Sequence, residues 1–376
     1  MHIPTQTSML VKLKPQVELP QESKLQQMIQ LDALRAIAVF GVMVAHWLPK
    51  DFFLNSNLAL GNLAVRFFFL LSGFLITLLL LDYKKKIDDG KKSIGVTIRR
   101  FYIRRFLRIF PIYYLTILLV AIFHLRRHPS LIWHLTYTSN FYYSLHKWDI
   151  NSHFWTLAVE FQFYLIWPLL ILLIPEKHLG KLILLTIIIA PIFRILCVVM
   201  GLSEEIRMQL LIPGCLDSLG LGALLAFYNR KPDQTGTKKL LSNLGFWIGG
   251  TLSFALVLTR PHLDPGIRVA FQDSINALFF FWIIERAARG FSGILGTVLE
   301  FKPLVYLGKI SYGIYIYHSF VAAVIVPNSL SYFGFSYPRS ILVQFVVNSI
   351  ATVIVAMLSW QYIEQPINNL KRHFKI

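Results

Sequence analysis

Arg35 and His46 lie in one apolar run, LDALRAIAVFGVMVAH. Titratable side chains inside such a run are costly and face a cavity, a partner or a substrate. Eleven residues at 100° each bring the two within about 20° of one helical face, roughly 16 Å apart along the axis. Asp32 shares that face one turn earlier. Two readings fit this spacing. In one, Arg35 reaches out to lipid headgroups and His46 fills a buried hydrogen bond. In the other, a neutral His46 acts as general base on a hydroxyl, and Arg35 holds an anionic donor or a carboxylate.

Further constellations repeat the pattern. In HFWTLAVEFQFYLIWP, His153, Glu160, Tyr164 and Trp167 fall on one helical face. Glu160 either orients His46, as the acidic member of a hydrolase triad does, or pairs with Arg194 or Arg66. In LGKISYGIYIYHSF, Ser311, Tyr315 and His318 share a face. Asp217 opens LDSLGLGALLA, where Gly220 and Gly222 allow close helix packing; Asp217 itself reads equally as a structural or a binding group. The segment TIRRFYIRRFLRIFPIYY carries Arg99, Arg100, Arg104, Arg105 and Arg108. A basic helix entering a membrane suits anionic headgroups. Arginine's planar fork also suits phosphate, and a phosphate-rich donor such as coenzyme A fits the series. Cys197 and Cys215, the two cysteines, support neither a disulfide framework nor a cysteine-rich metal site. They read as buried thiols, with an acyl-thioester carrier as the alternative.

The elements that position these groups follow from composition. Of 376 residues, 55% are hydrophobic, and the mean hydropathy is +0.57. These values exceed globular norms and predict an all-α integral membrane protein, a polytopic bundle of about ten transmembrane helices. The spans run roughly over 30–48, 62–81, 106–124, 154–174, 182–200, 208–228, 244–260, 270–286, 310–327 and 340–361. Residues 1–29 form a cytoplasmic polar tail, 30–364 the membrane domain and 365–376 a basic cytoplasmic tail. The net charge of +18 is a topology signal rather than a nucleic-acid signal. With both termini cytoplasmic, 26 of the 37 Lys and Arg fall on the cytoplasmic face and eight opposite. The extracytoplasmic 124–153 stretch offers Trp133, Tyr142, Tyr143 and Trp148 as an interfacial belt or as a surface on which sugar rings stack. Close-packing glycines serve internal helix contacts as readily as a dimer. Intramembrane Arg, Glu and His also suit a transporter or flippase for a polar lipid or glycan, although no paired broken helices stand out.

Seven segments in order resemble the acyltransferase-3 family of membrane O-acyltransferases. They are the Arg35–His46 spacing, FFFLLSGFLIT, RRFLRIFPIYYL, FWTLAVEFQFYLIWP, CLDSLGLGALLA, LGKISYGIYIYHSF and the closing YIEQPINNL. The resemblance implies a bundle of about ten helices in a bacterial inner membrane. It further implies transfer of an acyl group, usually acetyl, from cytoplasmic acetyl-CoA or another acyl-CoA to a hydroxyl-bearing glycan or glycolipid, with no bound cofactor and no metal. His46 would be the catalytic base, Arg35 its essential partner, and Arg104, Arg105 and Arg108 donor-side contacts. Glu160 matches the family's acidic position in the fourth span. Ser72 and Gly73 match its Ser-Gly, where a hydroxyl and a close backbone approach would serve the active cavity. Some members add a C-terminal esterase-like domain; the resemblance here is to the stand-alone type.

Overall fold

In lipid, every backbone N–H and C=O must pair within its own segment, so the apolar runs are helices. The computed structural model describes residues 28–122, 129–202, 207–230, 235–260 and 262–374. All but the last two residues of the expected polar tail lie outside them. No strand occurs among the described residues. The helices that matter for the site are α1 (Ile29–Trp47), α2 (Leu60–Asp88), α3 (Ile94–Val120), α4 (Trp155–Leu173), α5 (Glu176–Val199) and α6 (Leu216–Asn229). They are followed by α7 (Gly236–Thr259), α8 (Pro265–Arg289), α9 (Lys302–Lys309), α10 (Ser311–Phe320) and α11 (Ile341–Ser359).

Eight helices among the described residues are long and apolar enough to cross a membrane, against the expected count of about ten. The two expected spans outside that set differ for separate reasons. Helix α3 has 27 residues, but its first half carries the arginine series. Helix α6 has only 14, short of the roughly 20 that a crossing needs, and follows two 3-10 turns over the stretch expected as one span. It is almost wholly buried and so belongs to the centre of the bundle.

Glycines set how closely that centre packs. A Cβ at Gly73 on α2 would lie 2.0 Å from the Leu219 carbonyl oxygen, and one at Gly222 on α6 would lie 2.0 Å from that of Leu70. The two helices therefore meet backbone to backbone. Gly73, expected to bring backbone to the active cavity, instead brings α2 against α6.

Outward faces are apolar at helical intervals. Leu184, Ile188 and Ile192 on α5 and Val346, Ile350 and Ile354 on α11 are all exposed. Such stripes would be an aggregation hazard in water and are the expected surface in lipid. The chain is thus an all-α integral membrane protein. Helix α8 shows conventional end chemistry: Pro265 takes the first turn, and the Asp264 carboxylate accepts from the Ile267 N–H at 3.0 Å. Arg286 and Arg289 sit in the last turn, before Gly290 at φ +96.

Asp217 lines neither of the site cavities described below. It is buried and accepts from Arg194 Nη2 at 2.7 Å and from Ser274 Oγ at 2.6 Å. Arg66 pairs at 2.6 Å with Asp273, which also accepts from Asn62 at 3.0 Å. Each buried guanidinium has a carboxylate, so Glu160 is partner to neither.

Candidate active site

Most of the residues singled out by sequence divide between two cavities of the bundle. The first, of about 660 Å³, is walled by α1, α2, α3, α4, the end of α9 and α10. Arg35, Arg105, Arg108 and Lys309 present four cations to it, against the carboxylates of Asp32 and Glu160. Arg35 Nη1 donates to Asp32 at 2.7 Å, one turn back on α1. Glu160 accepts from Ser72 Oγ at 2.7 Å, and the Tyr164 hydroxyl donates to the same Ser72 oxygen at 3.1 Å. The Arg105 guanidinium lies over the Tyr164 ring, 5.8 Å from its centroid. Ser311 and Tyr315 line the same space. This arginine cavity offers excess positive charge and a chain of hydroxyls, which suits an anionic ligand.

The second cavity, of about 520 Å³, holds His46. Trp148, Asp149, Ser319, Gln344 and Asn348 line it as well. Trp148, one of the aromatics suited to a sugar ring, is therefore in place beside His46. Tyr142 and Tyr143 are buried instead, and the Tyr143 hydroxyl donates to Asp149 at 2.7 Å. Trp133 is partly exposed but does not line this cavity.

Side chains around Tyr315 lie between the cavities. Tyr315 borders the arginine cavity, and its hydroxyl donates to the His153 carbonyl at 2.7 Å and shares a 2.6 Å bond with Thr156 Oγ1. On the far side of this wall, His46, His153 and His318 cluster, with ring centroids 4.7 to 6.2 Å apart. The 3-10 turn Ser152–Phe154 places His153 just ahead of α4, and the third turn of α10 places His318.

The cluster's hydrogen bonds fix a direction. His318 Nδ1 lies 2.6 Å from the Tyr315 carbonyl, which can only accept, so Nδ1 carries the proton. In the neutral ring, Nε2 is then an acceptor. His46 Nδ1 lies 2.8 Å from that Nε2 and donates to it, and Ser319 Oγ lies 3.1 Å from the same nitrogen. This network leaves the lone pair of His46 on Nε2, and His46 is exposed to its cavity. An imidazole oriented by a second histidine is the result. Glu160, weighed from sequence as that orienting group, hydrogen-bonds in the arginine cavity.

The remaining candidates find distinct places. Arg104 borders a small recess that opens beside the arginine cavity and shares Arg105 and Arg108 with it. Ser72 faces the arginine cavity while the adjacent Gly73 faces α6. His318, grouped from sequence with Ser311 and Tyr315, stands beside His46. Lys309, Thr156, Ser319 and Asp149 also line the two spaces, although spacing alone did not single them out. Lys309 and Ser319 both sit within LGKISYGIYIYHSF, so that segment was the available signal.

Comparison with known proteins follows this geometry. A family model described as an acyltransferase domain, Acyl_transf_3, matches residues 28–361. The chain belongs to the acyltransferase-3 family. It is 29% identical to the peptidoglycan O-acetyltransferase OatA of Listeria monocytogenes, with 92% of this chain and 57% of that protein aligned. Identity to the O-acetyltransferase OatA of Staphylococcus aureus is also 29%, over 92% of this chain and 57% of that protein. For the putative peptidoglycan O-acetyltransferase YrhL of Bacillus subtilis it is 29%, over 90% and 54%. The chain thus spans little more than half the length of these acyltransferase-3 relatives. No solved structure matches it significantly.

Proposed function

We propose that this protein is a membrane O-acyltransferase that takes an acyl group, acetyl for preference, from acyl-CoA in the arginine cavity. It delivers that group to a hydroxyl of a cell-envelope glycan or glycolipid in the histidine cavity. The observation that carries this reading is the division of the site: excess cationic charge on one side of the Tyr315 wall, and an accessible, oriented imidazole on the other. Charge bias supports a cytoplasmic position for the basic 82–108 segment, and with it an arginine cavity open to acyl-CoA. The relatives' names make peptidoglycan the first acceptor to try.

In this mechanism Arg35, Arg105 and Arg108 hold the anionic donor with its thioester directed at the wall. The thioester end passes the Tyr315 side chain to meet His46, whose Nε2 removes the proton from the acceptor hydroxyl as that oxygen bonds to the thioester carbonyl carbon. The tetrahedral intermediate collapses, the C–S bond breaks, and the imidazolium returns its proton to the departing thiolate. His318 accepts from His46 Nδ1 throughout and holds the ring in register. Ser72, Tyr164 and Glu160 orient the donor from the far side.

The test is mass spectrometry of envelope glycans and lipids from cells with the wild-type protein, with His46→Ala, or with none. One added acyl unit that requires His46 supports the reading. An unchanged mass together with movement of the acceptor across the membrane would replace it with transport.

A further inference from the structure

We infer that Lys371 completes a phosphate-binding recess formed with Arg104, Arg105 and Arg108, and that this recess takes a phosphate from the nucleotide end of the donor. The inference rests on the donor being a coenzyme A thioester. The recess, of about 90 Å³, is lined by Tyr83 of α2, by Phe101 and the three arginines of α3, and by Lys371. Lys371 comes from the turn Leu370–Phe374, which packs against α3 although 250 or more positions separate them in sequence.

Charge is the first argument. Four cations line this recess and no carboxylate does. Among the described residues, none of the four takes part in an ion pair. Arg104 Nη1 is shielded from solvent and lacks a hydrogen-bond partner there. Like charges gathered this closely repel, and an anion with several acceptor oxygens relieves the repulsion. Every other buried guanidinium described above already has its carboxylate.

Position is the second argument. Arg105, Arg108 and Leu79 line both the recess and the arginine cavity, so a ligand in one continues into the other. The recess carries phosphate-type donors and aromatic walls, whereas the cavity carries the hydroxyl chain and reaches the Tyr315 wall. An elongated ligand with a polyphosphate at one end and a reactive group at the other matches this order. Lys371 offers a point charge with rotating donors beside the planar forks of the arginines, a set suited to a phosphate monoester as well as a diphosphate. The same chemistry would hold an anionic lipid headgroup, and the test separates the two.

The experiment uses the full-length protein in detergent and in nanodiscs of zwitterionic lipid. Calorimetry compares wild type, Lys371→Gln and Lys371→Arg with coenzyme A, dephospho-coenzyme A and adenosine 3′,5′-bisphosphate. The expected result is coenzyme A binding about tenfold weaker in Lys371→Gln, largely restored in Lys371→Arg, and a smaller loss for dephospho-coenzyme A. Equal coenzyme A affinity in wild type and Lys371→Gln overturns the inference and leaves the donor reading standing. Binding of adenosine 3′,5′-bisphosphate that depends on Lys371, without coenzyme A binding, keeps the phosphate subsite and removes the donor. A Lys371 effect confined to retention of phosphatidylglycerol, measured by native mass spectrometry, overturns the nucleotide assignment in favour of lipid.

Discussion

Replacing His318 with Leu separates the two histidines at the centre of the proposed chemistry. The side chain is buried, and its Nε2 accepts from His46 Nδ1 at 2.8 Å while its own Nδ1 donates to the Tyr315 carbonyl at 2.6 Å. Leucine keeps the bulk but removes both bonds, so His46 either leaves Nδ1–H unpaired or turns to the tautomer that blocks its base. An unpaired buried donor costs about 1–3 kcal/mol. Applied to the barrier, that is a loss of about 5- to 150-fold in kcat, because each 1.36 kcal/mol is tenfold. Removing the base itself with His46→Ala loses about 100- to 10,000-fold. His318→Gln, whose amide supplies an acceptor and a donor on one group, recovers part of the loss. The assay is transfer of radiolabelled acetyl from acetyl-CoA to a glycan acceptor by purified protein, with kcat and donor KM measured separately; KM stays near wild type. Full kcat in His318→Leu would refute the orienting role. A loss equal to that of His46→Ala would also refute it, because His318 would then carry the proton or the acyl group itself.

Other outcomes follow from the same geometry. Arg66→Met takes from Asp273 its 2.6 Å ion partner and leaves only Arg194 at 4.0 Å, and Arg194→Met removes the 2.7 Å partner of Asp217. Each is expected to lower stability by about 3–5 kcal/mol, read as a reduced melting temperature in detergent. Gly73→Ala sets a Cβ against the Leu219 carbonyl oxygen, so α2 and α6 must part, and size-exclusion chromatography should show loss of monodisperse protein. Glu160→Gln keeps a group that can accept from Ser72 but removes the carboxylate's charge from the arginine cavity. It is expected to change donor KM more than the fold, with an unchanged melting temperature as the control. Incubation with labelled acetyl-CoA and no acceptor is expected to leave no label on the protein; label on His46 or Ser319 would establish a covalent intermediate instead.

Hydropathy made the class of fold legible, because lipid demands long apolar helices and the exposed stripes on α5 and α11 are written directly in their spacing. The count was less legible. Residues 208–228 have the composition of a span, but Pro213 and Gly214 fall in 3-10 turns before α6, and composition does not reveal that shortening. Helical arithmetic found Arg35, His46 and Glu160 as unusual groups and placed each on a face. It could not say that Arg35 and His46, on one face but far apart along the axis, open into different cavities. Nor could it pair Arg194 on α5 with Asp217 on α6, or Arg66 on α2 with Asp273 on α8, since each pairing depends on how two helices pack. His318 was visible as a polar residue on α10, yet its role depends on a bond across 272 positions. Lys371 stood in a segment assigned simply as a basic tail, and only the packing of that segment on α3 puts it beside the arginines.

The central claim is that the acyl group passes from a donor in the arginine cavity to an acceptor in the histidine cavity through the wall at Tyr315. Proteoliposomes with the arginine-cavity side facing the lumen test it directly, with labelled acetyl-CoA sealed inside and a soluble peptidoglycan fragment outside. The account predicts labelled glycan outside with wild-type protein and none with His46→Ala. Acylation that occurs only when donor and acceptor share one side would contradict it.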